Sequence, residues 1–215
     1  MPLKLYTYWR SSAAYRVRIA LELKGVAVGQ HAVHLVQGGG EQHRPAYRAI
    51  HPGGTVPALV LDDGTVITQS LAIVALLDEL YPQPALLPTA PVARARVRAA
   101  AELIACDVHP IGNLRVRQYI EQIFGQDQAA VATWMRHWMR GGLEAFQGLT
   151  AAGTPFCFAD QPSLADVCLV PQLYNARRWD LDLGGLERLV AIEQRCLAMP
   201  AFLAARPEAQ ADAEP

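Results

Sequence analysis

The chain has 215 residues, of which 52% are apolar, and a formal net charge of -1. That length buries a core in one large domain or two small ones, and the charge balance provides no basic field for nucleic acid and no acidic tail. No apolar run approaches the ~20 residues of a membrane span, the N-terminus carries no signal-peptide pattern, and the four cysteines contain no C-x-x-C pair, so the expectation is a soluble cytoplasmic protein with reduced, mostly buried thiols.

Leu3–Tyr8 alternates apolar with polar or aromatic residues and reads as a short strand. The run Trp9-Arg10-Ser11-Ser12-Ala13-Ala14-Tyr15-Arg16-Val17-Arg18-Ile19-Ala20-Leu21 turns it into a helix. Val17, Ala20 and Leu21 share one face, Ile19 and Leu23 lie beside them, and Gly25 supplies the left-handed stop. Ser11 and Ser12 sit at the helix N-terminus, where free backbone N–H groups and about half a positive charge favour an anion such as a thiolate. Arg10 adds charge at the same turn, whereas Arg16 and Arg18 read as structural or surface residues.

Residues 27–35 give a second strand, with His31 and His34 read as surface or hydrogen-bonded histidines. Gly38-Gly39-Gly40 is a flexible loop without the spacing of a phosphate loop, and residues 42–50 form a short helix. Two apolar runs, 55–61 and 65–67, joined at Asp63-Gly64, make a hairpin with Pro57 opening its first strand. A cis bond at Val56–Pro57 would turn the Val56 backbone N–H and C=O toward a bound peptide. Gln69-Ser70 opens a helix with Ile73, Leu76, Leu77 and Leu80 on its apolar face; Ser70 is either a cap or part of a carboxylate site at that N-terminus.

Four prolines between Pro82 and Pro91 mark a linker, after which the strand–helix pattern ends and everything reads helical. A long helix runs from Ala93 to about Tyr119, kinked before Pro110, and a second from about Asp127 to Leu149. Ser163-Leu164-Ala165-Asp166 has capping-box spacing ahead of an apolar helix, Met199-Pro200 starts a short last helix, and residues 206–215 read as a mobile polar tail.

The turn from Arg10 to Leu21 resembles the signature of zeta-class glutathione transferases, the maleylacetoacetate and maleylpyruvate isomerases, over nearly the full chain. Arg10, Ser11, Ser12 and Arg16 to Leu21 match. Ala13 stands where many of the maleylacetoacetate isomerases carry cysteine; the maleylpyruvate isomerases lack it. The resemblance implies an α/β thioredoxin-like domain over residues 1–82, a linker at 83–91, and an all-α helical domain over 92–215. It implies a homodimer that takes glutathione as its cofactor and a small-molecule diacid as substrate, with no nucleic-acid or membrane partner.

Its chemistry is cis–trans isomerisation of a maleyl-type diacid: a thiolate adds to the double bond, the bond rotates, and the thiol leaves. Such a site needs a stabilised thiolate, a donor for the developing enolate, and forked cations for two carboxylates. Ser11, Ser12 and Arg10 are the implied catalytic residues. Ser11, Gln42 (toward the glycine end), Val56, Pro57, Gln69 and Ser70 are the implied glutathione-binding residues. Arg10, Arg178, His109 and Arg115 are the candidate substrate-binding residues, Arg178 being preferred to its neighbour Arg177. Maleylacetoacetate is taken as the substrate, with maleylpyruvate as the alternative and general glutathione conjugation of electrophiles as a rival. A non-catalytic ligand-binding protein fits less well, and a redox role is opposed by the absence of cysteine at 11–14.

Overall fold

The computed structural model describes residues 3–214. They form two compact units, one built from the chain up to Ala85 together with the segment from Ala198 onward, the other from Leu86–Leu197.

In the first unit β1 (Lys4–Thr7) leads into α1 (Ser12–Lys24) and returns as β2 (Gly29–Ala32), parallel to β1. After α2 (Pro45–Arg48), β3 (Ala58–Val60) and β4 (Val66–Thr68) form the hairpin, and α3 (Ser70–Leu80) follows. The sheet order is β2-β1-β3-β4, with β3 antiparallel to both neighbours and Leu5 opposite Leu59. This mixed four-stranded sheet is the thioredoxin-like arrangement. Leu5, Leu59, Ile73 and Leu77 are fully buried beneath it.

α1 is buried almost all round. Arg16 and Arg18 are as inaccessible as Val17 and Ile19, which rules out the surface-charge reading of the two arginines. Gly25 ends α1 at φ 63°. On α3 the buried set is Ile73, Val74 and Leu77, while Leu80 is exposed; packing against α1 selects the face that carries Val74.

The terminal segment corrects the expectation of a mobile tail. After α10 (Pro200–Ala204) the chain makes a short turn at Pro207–Ala209, and Gln210 is buried with its amide on the carbonyls of Ala204 and Arg206. Asp212 and Glu214 bond to residues near the end of β1 and after β2. The composition alone reads as disorder, whereas specific hydrogen bonds, with Pro207 buried and Ala213 packed on an apolar cluster, impose order.

The second unit is helical: α4 (Pro91–Glu102), α5 (His109–Ile111), α6 (Leu114–Gln122), α7 (Gln128–Leu149), α8 (Leu164–Arg178) and α9 (Glu187–Leu197). The expected single helix to Tyr119 is interrupted twice. Leu103–Val108 widens into a π-helical turn, and the chain breaks at Gly112 after Pro110, with the Asn113 side chain capping α6. Asp127 caps α7 through the Ala130 N–H at 2.9 Å. α8 starts on the expected capping box. Asp166 is fully buried and accepts the N–H and hydroxyl of Ser163 and the N–H of Cys157, at 2.8–2.9 Å. No helix among the described residues is long and apolar enough to cross a membrane.

Candidate active site

The chain leaves β1 through a tight turn closed by the Ser11 N–H on the Tyr8 carbonyl at 3.0 Å. Ser11 is the N-cap of α1: its Oγ accepts the Ala14 N–H at 3.2 Å. That bond uses a lone pair and leaves the hydroxyl proton available to a neighbouring anion. Ser12 is not a second cap. It is the first helical residue, with a buried side chain. The Arg10 guanidinium lies 4.7 Å from the centre of the Trp9 ring and donates to the Tyr8 hydroxyl at 3.2 Å, which fixes a cation beside Ser11.

The turn is held from below by Arg18. Its guanidinium donates to Thr7 Oγ1 and to the carbonyls of Tyr8, Trp9 and Ala205, at 2.9–3.3 Å. Nothing in the sequence but its place on an otherwise apolar helix signals this role.

The Val56–Pro57 bond is cis. Val56 belongs to a buried cluster with Tyr8, Trp9, Val33 and Tyr47. The loop before it is shaped by Tyr47 and His51, neither of which has a sequence signal for this role. The Tyr47 hydroxyl donates to the Thr55 carbonyl at 2.6 Å, and burial pushes that phenol well above its usual range. His51 Nδ1 accepts the Gly53 N–H at 3.1 Å, while Nε2 meets Thr55 Oγ1 at 3.0 Å. An accepting Nδ1 makes this the neutral tautomer with the proton on Nε2. Burial first, and then the charge of Arg48, lower the His51 pKa from 6.5.

At the second helix N-terminus the cap position is Gln69, with φ 70°, a left-handed conformation rare for a residue with a Cβ. Ser70 is the first residue of α3, so it is not the cap. Its hydroxyl instead accepts from Nη1 of the buried Arg16 at 3.2 Å. A buried guanidinium, a hydroxyl and a helix N-terminus therefore come together, a combination suited to a carboxylate. Arg16 was not among the expected site residues. Gln42 is buried, and its amide nitrogen lies 3.0 Å from the Leu35 carbonyl and 3.2 Å from His43 Nε2. The Leu35 carbonyl accepts one of its amide hydrogens.

In the helical unit the adjacent arginines differ. Arg177 forks onto buried Glu193 with two bonds of 2.6 Å, whereas the exposed Arg178 donates to the Asn175 side chain at 3.4 Å. Burial still raises the Glu193 pKa despite this partner. His109 lies on α5 and Arg115 at the start of α6. Arg115 lines a cavity of about 850 Å³ with Tyr119, Phe124 and Trp134. Cys157 and Cys196 are buried, which pushes their thiols well up and makes them inert as nucleophiles. No group of His, Cys, Asp and Glu among the described residues is arranged to hold a metal ion.

Comparison with known proteins assigns this geometry. The glutathione S-transferase N-terminal domain model matches residues 5–85. A maleylacetoacetate isomerase of Pseudomonas aeruginosa is 46% identical over 210 residues, covering 98% of both chains. The chain belongs to the maleylacetoacetate isomerase family of glutathione S-transferases.

Two solved structures of this family extend the likeness. A holo maleylpyruvate isomerase, described as a bacterial zeta-class glutathione S-transferase, superposes with a TM-score of 0.94 at 42% identity, over 98% of this chain and 100% of that one. A maleylacetoacetate isomerase of Methylobacterium extorquens, solved with bound malonate and glutathione, gives 0.93 at 38% identity over 99% and 100%. The glutathione transferase fold expected from the sequence is therefore the fold of the chain, and the isomerases of this family fix its reaction class.

Proposed function

We infer that the chain is a glutathione-dependent cis–trans isomerase of a maleyl diacid, taking maleylacetoacetate to fumarylacetoacetate or maleylpyruvate to fumarylpyruvate. Support comes from full-length likeness to isomerases of both names and from a relative solved with bound malonate and glutathione. Glutathione, when bound, supplies the sulfur that adds to the double bond and leaves after rotation.

The observation that carries the reading is the Ser11 turn. Ser11 caps α1 through its oxygen and keeps its proton for the sulfur, and the N-terminus of α1 lowers the cost of a thiolate there. The Ser12 backbone belongs to the same N-terminus. Arg10 is assigned to a substrate carboxylate or the enolate oxygen that develops next to it. The Val56 backbone beside Pro57 is assigned to the cysteinyl part of glutathione. Gln69 and Ser70, with Arg16 beneath them, are assigned to its γ-glutamyl end.

Arg178 is assigned to a substrate carboxylate from its place in the family resemblance. His109 and Arg115 are secondary choices for the substrate. The same reading takes the protein as a cytoplasmic homodimer with one site per subunit.

The test is Ser11→Ala. It is expected to lower kcat by about 100-fold while changing the glutathione KM far less, as loss of a preorganised donor does. Equal losses in kcat and in glutathione affinity contradict the assignment.

A further inference from the structure

We propose that the C-terminal segment Arg206–Glu214 is a brace that holds Arg10 in place, with Asp212 as its positioning residue. The proposal rests on the reading of Arg10 as a partner of a substrate carboxylate, and it assigns a role in that same site to a segment from the far end of the chain.

Two routes lead from the tail to Arg10. In the first, Asp212 Oδ2 accepts the backbone N–H of Trp9 at 3.0 Å, across 203 residues of sequence. The carbonyl of that same Trp9 is held by Arg18 at 2.9 Å, and Arg18 also grips Ala205, where the tail begins. Trp9 is thus fixed at both backbone polar groups, and its ring carries the Arg10 guanidinium at 4.7 Å. In the second, Glu214 Oε1 pairs with His34 Nε2 at 3.0 Å and accepts from Gln37 Nε2 at 2.8 Å. The His34 ring meets Tyr8 edge-on at 5.0 Å, and the Tyr8 hydroxyl accepts from Arg10 at 3.2 Å. Between the two carboxylates, Ala213 packs against the cluster of Tyr8, Trp9, Val33, Tyr47 and Val56.

Both routes converge on one guanidinium. An arginine side chain left to itself samples many rotamers, and confining it before substrate arrives removes that ordering cost from binding. Trp9 is a buried residue, and the tail supplies a partner for its backbone N–H. A brace of this kind acts on the diacid and not on a neutral electrophile, because only the diacid needs Arg10. That difference separates positioning from general support of the fold.

The experiment compares Asp212→Ala, Asp212→Asn and Arg10→Ala in the full-length enzyme. Each is assayed for the KM of a maleyl diacid, for conjugation of a neutral aryl halide with glutathione, and for melting temperature. Asp212→Ala is expected to raise the diacid KM by about 10-fold, with aryl halide turnover within about 2-fold of wild type. Asp212→Asn keeps an acceptor oxygen for Trp9 and is expected to recover most of the loss.

A diacid KM unchanged by Asp212→Ala overturns the brace, and so does a parallel loss with diacid, aryl halide and melting temperature. Arg10→Ala tells the two levels apart. If it raises the diacid KM while Asp212→Ala does not, the brace alone fails. If it leaves the KM unchanged, the assignment of Arg10 fails and the brace goes with it.

Discussion

Arg177 and Arg178 are neighbours with the same sequence signal, and their partners separate them. Arg177 closes a fork on Glu193, whose carboxylate is buried. Removing the arginine leaves that carboxylate unpaired, so Arg177→Ala is expected to lower stability by about 1–3 kcal/mol, read as a fall in melting temperature. Arg178→Ala is expected to leave the melting temperature near wild type and raise the diacid KM. The reverse pattern would exchange the two roles.

His51 gives a pH dependence. Its folded pKa lies below the ordinary 6.5, so the unfolded chain binds more protons over that interval and stability rises with pH. The contribution is present above about pH 6.5 and is lost as pH falls through the lower folded value. Protonation at Nδ1 also breaks the bond from Gly53. The wild type is therefore expected to lose more melting temperature between about pH 7 and pH 5.5 than His51→Asn does; parallel curves would contradict this. Ser11, Val56-Pro57 and Ser70 were legible in the sequence because they mark chain turns. Tyr47, His51 and Arg16 were not, because their roles come from partners folded against them.

At the scale of elements, α7 carries two adjacent glycines whose surroundings differ. A Cβ built at Gly141 meets nothing within 4 Å, whereas one at Gly142 falls inside the radius of Val108 Cγ2. Gly141→Ala is expected to stabilise the protein by about 0.5–1 kcal/mol through helix propensity and a less flexible unfolded chain. Gly142→Ala is expected to cost about 1–3 kcal/mol, since the branched, buried Val108 must move. Thermal melts of the two variants check the opposite signs, and two shifts of the same sign would contradict the packing.

Val108 lies in the π-helical turn, which no periodicity announces: the apolar pattern of residues 93–119 continues through it and through the break at Gly112. Capping signals behaved differently. Asp127 and Ser163-x-x-Asp166 act locally, and they located the starts of α7 and α8 from sequence alone. The helix Glu187–Leu197 was missed, since no cap or proline announces it as clearly.

For the whole molecule, the strands and helices of the first unit each carry a local signal, and the resemblance to the family supplied their thioredoxin-like arrangement. The return of the last residues to that unit was hidden in a polar Ala/Glu/Pro composition, and it depends on single bonds such as Asp212 to Trp9. The placing of Trp9 and Arg10 therefore draws on both ends of the chain. The central claim is that the Ser11 turn serves a sulfur that adds to a maleyl double bond. The most direct measurement follows the ultraviolet absorbance of maleylacetoacetate and of maleylpyruvate side by side, with and without glutathione. The account predicts enzyme-dependent loss of absorbance of at least one diacid, and only when glutathione is present. No loss with either diacid, alongside conjugation of a neutral electrophile, would contradict it and leave a general glutathione transferase in its place.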